Sequence, residues 1–363
     1  MEELSLEEKI GQMFMIGIEE KILTKKTVEM IQDYKIGGII VYYRNYRTYT
    51  EMLTLVNSLK EINQVNKIPI FISIDQEGGR VNRMPDEIHA MRNAYAMAST
   101  KDIELVKESG ALIGKMLRET GINLNYAPVL DIKRFEENHP IGNRCYADNK
   151  EEVCQYGIEV MKQIQKQNVI ATVKHFPGHG TTQKDSHFRI PTVKASLEEL
   201  VNQDMVPFEI SIQEGADAIM IGHVLVKAID SKYPASLSKK VVQENLRERY
   251  QYNGLTITDD LKMWAVKLHY SKKQAVLKAI EAGNDIIMLG FSYSEIKEII
   301  QYIKKKVIKG TIKMEEVNQH VQRIMEMKKK YAINDEKVKG INIEEMNQQI
   351  DKINDVVNEK QPI

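Results

Sequence analysis

Short apolar runs recur along this chain, and amphipathic stretches separate them. The runs that read as strands are 12–17, 37–42, 69–75, 124–131, 169–175, 218–223, 255–259 and 285–289. Most are rich in Ile, Val, Met and Phe, and several are apolar on both faces. That is the pattern of parallel strands covered on both sides. The spacing of apolar positions predicts helices over 25–34, 49–63, 102–120, 151–167, 197–214, 239–249, 272–282 and 294–309. Ser196 with Glu199 spells a capping box at the start of one helix. Gly283 stands just past another, where a left-handed residue commonly ends a helix.

Eight strands alternating with helices predict an α/β fold, a (β/α)8 TIM-type barrel. A doubly wound open sheet is the alternative pattern. No Gly-rich dinucleotide turn follows the first strand, which weighs against it. The barrel is expected to span 1–331 as a single catalytic domain, with a closing helix at 313–331. The remainder, 332–363, is polar with one amphipathic stretch at 343–358. It reads as a surface helix, too short for a second domain.

Charge narrows the partners. Lys+Arg and Asp+Glu both number 51, so the formal net charge is zero. That gives no reason to expect nucleic acid or an anionic membrane as partner. No run of eighteen apolar residues is present, so no membrane span is expected. The N-terminus, MEELSLEEKIGQMF, is acidic and amphipathic, unlike a signal peptide. The expectation is a cytoplasmic monomer, or a secreted one if a leader has been removed. Cys145 and Cys154 are too few for a disulfide framework or a four-cysteine zinc site, and both are expected as free thiols.

The candidate chemistry sits where strands end. Asp75, Asp131, Lys174-His175, His223 and Asp259-Asp260 close five of the apolar runs. In a barrel those positions share one face. After strand five comes Lys174-His175-Phe176-Pro177-Gly178-His179-Gly180, followed by Asp185-Ser186-His187. Asp185 and His187 are two residues apart, so the carboxylate can hold the ring's tautomer and stabilise its cation. Zinc on these histidines is disfavoured, because Pro177 and Gly178 break any helix that would give the usual ligand spacing. His179 reads as a structural loop histidine. After strand three, Asp75 suits a grip on vicinal hydroxyls, and an Arg80–Glu77 pair is expected to brace the loop. Arg144 stands in a loop after strand four.

Five segments carry a family resemblance: IDQEGGRV at 74–81, GNR at 142–144, KHFPGHG at 174–180, DSH at 185–187 and TDDL at 258–261. In this order, over about residues 1–330, they resemble glycoside hydrolase family 3, specifically its β-N-acetylhexosaminidase branch. The resemblance implies a barrel and hydrolysis with retained anomeric configuration. It implies Asp259 as nucleophile and His187 as acid/base, with Asp185 as its partner. It implies that Asp75, Arg83, Arg144, Lys174 and His175 hold the sugar, with His223 near it. The substrate implied is terminal β-linked N-acetylglucosamine, as in peptidoglycan-derived muropeptides, with no cofactor and no metal. Two rival readings stand beside it. A phosphorylase is one, since a histidine repels phosphate less than a carboxylate would. A catalytically silent sugar-binding protein is the other, and it would require loss of Asp259, His187 or Asp185, all of which are present.

Overall fold

The computed structural model describes residues 4–19, 21–134, 141–179, 182 and 190–360. All eight apolar runs enter one parallel sheet. Its strands are β1 (Phe14–Gly17), β2 (Gly38–Ile40), β3 (Phe71–Ile74), β4 (Leu124–Asn125), β5 (Ile170–Phe176), β6 (Ala218–Ile221), β7 (Leu255–Thr258) and β8 (Ile287–Leu289). β1 pairs with both β2 and β8, and a parallel bridge from Ile257 to Ile286 joins β7 to the last strand. The sheet closes on itself, so the fold is a (β/α)8 barrel and not an open doubly wound sheet.

The strands are shorter than the runs that predicted them. β4 is the extreme case: the run over 124–131 leaves the sheet after Asn125, where Pro128 has no N–H to give a neighbour. It touches β5 again where Leu130 N–H donates to the Lys174 carbonyl at 2.7 Å. Inside the barrel, Tyr126 Oη donates to Ser73 Oγ at 3.1 Å, and Ser73 lies 3.3 Å from the Met15 sulfur. Gly38 belongs to the same layer. A Cβ there would fall 2.5 Å from Met15 Cε, so glycine is what leaves the methionine its place.

The helices form the outer ring. Ser196 caps as expected, with Glu199 N–H on its hydroxyl and its own N–H on Glu199 Oε2 at 2.7 Å. The hydrophobic pattern did not mark the helix Leu6–Gln12, capped by Ser5 and Glu8, the short helices Ala94–Ser99 and Trp264–Lys267, or a two-stranded parallel pair, Thr192–Val193 with Leu225–Val226. The N-terminal end of the barrel is pinned by buried charges. Asp285 accepts from Arg247 Nη2 at 2.5 Å and Arg323 Nε at 2.8 Å, and its other oxygen contacts lie with His320 and Thr256. Lys328 Nζ donates to Gln12 Oε1, the Gly37 carbonyl and the Pro69 carbonyl, and burial pushes its pKa down to about 7.

Beyond the helix Met314–Lys330, the chain runs back along the helix Tyr49–Asn63. Asn57 exchanges two hydrogen bonds with the Val338 backbone there. The helix Ile343–Lys360 then packs on the helix Ile103–Glu119 and buries Met346, Ile350, Ile353 and Val357. Among the described residues, no helix is long and apolar enough to cross a membrane.

Candidate active site

Closure of the barrel brings the polar strand ends to one mouth. The loop after β3 is fixed from below by β4. Asn125 Oδ1 accepts from Gln76 N–H and Asn125 Nδ2 donates to the Gln76 carbonyl, both at 2.9 Å. The turn that follows needs its glycines. Gly78 and Gly79 have φ of +96° and +56°, and a Cβ on Gly79 would meet Asn93 Cβ at 2.6 Å.

This turn places Asp75 and Glu77 over β5. Lys174 Nζ sits 2.8 Å from Asp75 Oδ1 and 2.6 Å from Glu77 Oε1. Arg144 grips Glu77 with both arms, Nε at 2.8 Å and Nη2 at 2.7 Å. Burial opposes the ionised form of Glu77, but Lys174 and Arg144 outweigh it and bring its pKa down to about 2. The expected Arg80–Glu77 brace does not form. Glu77 turns inward because two buried cations need its charge, while Arg80 is exposed and donates to the Ile141 carbonyl at 3.2 Å. Arg83 is held by its backbone: its N–H donates to Gln76 Oε1 and its carbonyl accepts from Tyr46. Its guanidinium has no carboxylate within ion-pair reach among the described residues, and reaches only the Asn82 carbonyl at 3.3 Å.

A second cluster forms around Asp131, which is fully buried. His175 Nδ1 lies 2.7 Å from Asp131 Oδ2, and His179 contributes its N–H at 2.9 Å and its Nδ1 at 3.3 Å. Burial would raise the Asp131 carboxyl, yet the two histidines hold it well below the usual carboxylate range. Burial pushes the His175 pKa down, which favours a neutral ring whose Nε2 remains for another partner. His179 thus has the bonded, structural setting expected of it. Asp131, His175 and His179 are the one group of described residues whose donor atoms could converge on a metal ion. Their 2.7 Å oxygen–nitrogen contact is a hydrogen bond, so a metal would have to displace the proton that fills it.

Asp259 and Asp260 follow β7 and diverge. Burial works against an ionised Asp259, but His223, the Asp260 N–H at 2.8 Å and Lys174 hold its carboxyl below the usual range. Asp259 is therefore an anion facing the two polar clusters. Asp260 turns the other way: its Oδ1 accepts from the Lys262 and Gly290 N–H groups, and burial pushes its carboxyl up. It lines a 610 Å3 cavity with Gly17, Tyr42, Arg44, Gly290 and Phe291. Burial first, then Asp260 and Asp75, push the Tyr42 phenol up. His223 stands at the expected strand end, but both ring nitrogens are engaged, Nδ1 with Ser236 Oγ at 2.7 Å and Nε2 with the Asp260 carbonyl at 3.0 Å. Its geometry is that of a brace between β6 and β7 more than of a free sugar ligand. Asp185 and His187 lie outside the described residues.

The structure thus brings together Asp75, Lys174, Arg144, His175 and Asp259. Reading the sequence missed the inward role of Glu77. It named Asp131 only as a strand end, although an acidic residue closing an apolar run was the available signal. It gave Asp204 no place. That carboxylate is buried beneath Gly178, and among the described residues its oxygens have no hydrogen-bond partner and the nearest cation is Arg134 at 3.6 Å. Burial pushes its pKa up to about 6. A raised acid destabilises the fold once pH exceeds its unfolded pKa, and the full penalty is reached above the folded one. Asp204→Asn is therefore expected to raise stability by roughly 2 kcal/mol at pH 7.5 and by little at pH 4. Thermal melts of both proteins across that range check it.

A closed (β/α)8 barrel with a carboxylate-centred site at the C-terminal ends of its strands defines the class. The chain belongs to glycosyl hydrolase family 3: a model of that family's N-terminal domain matches residues 5–327. A β-hexosaminidase from Methylobacillus flagellatus is 30% identical over 296 residues, which are 80% of this chain and 83% of that protein. A solved family 3 β-N-acetylglucosaminidase from a Paenibacillus strain is 33% identical, with a TM-score of 0.90 over 98% of this chain and 69% of that one. A zinc-bound structure of CbsA from Thermotoga neapolitana is 29% identical, with a TM-score of 0.79 over 90% of this chain and 70% of that one.

Proposed function

We propose that this chain is a retaining β-N-acetylhexosaminidase that releases terminal β-linked N-acetylglucosamine. The observation that carries the reading is Asp259. It is a buried carboxylate at the end of β7, held ionised beside His223 and Lys174. An ionised carboxylate is what attack on an anomeric carbon requires.

The steps follow from the residues. Asp259 attacks C1 of the sugar while His187 gives its proton to the departing oxygen. Asp185 stabilises the imidazolium before transfer. His187, now neutral, takes a proton from water, and the water displaces Asp259 from C1. Two inversions leave the configuration retained. Asp75, Arg144, Lys174, Arg83 and His175 hold the sugar's hydroxyl and acetamido groups, which keeps C1 in line with Asp259. A muropeptide, in which N-acetylglucosamine precedes N-acetylmuramic acid, suits the enzyme as natural substrate. The protein works as a monomer.

The test is an assay on 4-nitrophenyl N-acetyl-β-glucosaminide and on the matching glucoside, with and without phosphate. The N-acetyl sugar is expected to turn over at least about tenfold faster in kcat/KM, with free sugar as the product whether or not phosphate is present. Equal turnover of both glycosides would refute the substrate. A sugar 1-phosphate formed only with phosphate would make the enzyme a phosphorylase. The same assay in a chelator is expected to run undiminished, since no step is routed through a metal at Asp131, His175 and His179. Loss of activity restored by zinc would contradict that.

A further inference from the structure

The C-terminal helix carries a feature that packing alone does not call for. Its apolar residues Met346, Ile350, Ile353 and Val357 already bury one stripe at helical spacing. Beside that stripe stand Asn347, Asp351 and Asn354, all turned toward residues 87–92. Asn347 Nδ2 donates to the Glu87 carbonyl and its Oδ1 accepts from the His89 N–H, both at 2.8 Å. Asn354 does the same one step on, donating to the Ala90 carbonyl and accepting from the Arg92 N–H, both at 3.0 Å. Asp351 lies between them, 2.7 Å from His89 Nδ1.

The two amides match the segment in spacing. Seven residues of helix advance about 10.5 Å, and three residues of extended chain advance about 10 Å. Each amide therefore flanks one residue, Ile88 and then Met91, and satisfies a carbonyl and an N–H that no strand pairs. Ile88 and Met91 point inward and are buried.

The segment held this way underlies the site. The Met91 carbonyl accepts from the Gly79 N–H at 2.7 Å. A Cβ on Gly78 would meet the Arg92 carbonyl at 2.9 Å, so the turn lies directly on this backbone. The same turn carries Asp75 and Glu77, and so the anchors of Lys174 and Arg144.

We infer that Asn347 and Asn354 are positioning residues: through residues 87–92 they fix the β3 loop that holds the sugar. The inference rests on the proposed glycosidase reading for its kinetic consequence and on geometry alone for its structural one. The polar tail beyond residue 331 is then part of the working site, although it touches no substrate.

The experiment uses the full chain with Asn347→Ala, Asn354→Ala and the double variant, and Lys360→Ala as control. Lys360 is on the same helix and pairs with Asp102 at 2.8 Å, away from the clamp. Two measurements are made. The first is amide hydrogen exchange of peptides covering 76–83 and 343–360. The second is KM and kcat on the nitrophenyl N-acetylglucosaminide. In the double variant, exchange over 76–83 is expected to speed up about tenfold while 343–360 stays protected by its buried stripe. KM is expected to rise about fivefold with kcat nearly unchanged, the mark of lost uniform binding. A merely structural helix would behave differently: loss of folded enzyme lowers kcat and leaves KM alone. Unchanged exchange over 76–83 in the double variant overturns the proposal, and so does an equal KM shift in Lys360→Ala. If the wild-type protein cleaves no glycoside, the functional reading fails, and the exchange measurement still decides the clamp.

Discussion

Asp259→Ala is expected to abolish turnover on every glycoside, whereas His187→Ala should lose activity in proportion to the leaving group's need for a proton. Without the nucleophile no glycosyl-enzyme forms, however good the departing group. A general acid contributes most when the leaving oxygen is a poor anion. His187→Ala should therefore lower kcat/KM on a natural disaccharide by about a hundredfold or more. On a nitrophenyl glycoside, which departs readily as an anion, the loss in the glycosylation step should be much smaller, and deglycosylation should become limiting. Asp185→Asn belongs on the same side as His187→Ala. Asp260→Asn should be milder than Asp259→Ala, because the Asp260 carboxylate turns to the Lys262 and Gly290 N–H groups and away from the nucleophile's partners. Measuring kcat/KM for these variants on both substrates decides the roles. An equal loss on both substrates in His187→Ala, or substantial activity left in Asp259→Ala, would show the assignment to be wrong.

Glu77→Ala is expected to be the most damaging change at a residue that need not touch the sugar. It removes the carboxylate on which Arg144 and Lys174 converge, at 2.7 and 2.6 Å. Lys174 keeps Asp75, but Arg144 is left largely buried with no other carboxylate in ion-pair reach among the described residues. Breaking a buried pair from one side costs about 3–5 kcal/mol. Both cations, which are proposed to hold the sugar, then lose their register, and a displacement of an ångström costs kcat/KM roughly a hundredfold. The pH dependence follows from the carboxyl's pKa of about 2, well below its ordinary 4.5. A lowered acid stabilises the fold fully above its unfolded pKa, and the contribution is lost as pH falls toward the folded one. The stability gap between wild type and Glu77→Ala should thus be widest above pH 5 and close as pH approaches 2. Urea midpoints over that range check it. A gap that is flat with pH, or a kcat/KM within threefold of wild type, would remove Glu77 from the centre of the site.

Much of this was legible along the chain. The eight apolar runs marked all eight barrel strands, because a parallel strand buried on both faces is apolar along most of its length. The order of strands and helices pointed to a barrel, closure of the sheet excluded the open alternative, and five runs ending on a charge pointed to one mouth. Boundaries were less legible. The run over 124–131 predicted a long strand, and Pro128 cut it to Leu124–Asn125. The helix Leu6–Gln12 went unread because its few apolar positions do not stand out from the strand they adjoin.

Pairing was not legible at all. Glu77 lies three residues from Arg80 and 67 from Arg144, yet it pairs with the distant one. Local spacing favours the near partner, and only the closed barrel shows that Arg80 is exposed while Arg144 is largely withdrawn from water. The divergence of Asp259 and Asp260 depends on Gly290, which belongs to β8's own loop. The amide clamp of Asn347 and Asn354 joins residues more than 250 apart in sequence. The sequence by itself determined which residues must be buried and which chemistry is present, because hydrophobicity and residue type act position by position. The tertiary structure alone decided which charge neutralises which and which way each carboxylate faces. Electrostatic pairing depends on distance and burial in three dimensions, and neither is a property of one position in a chain.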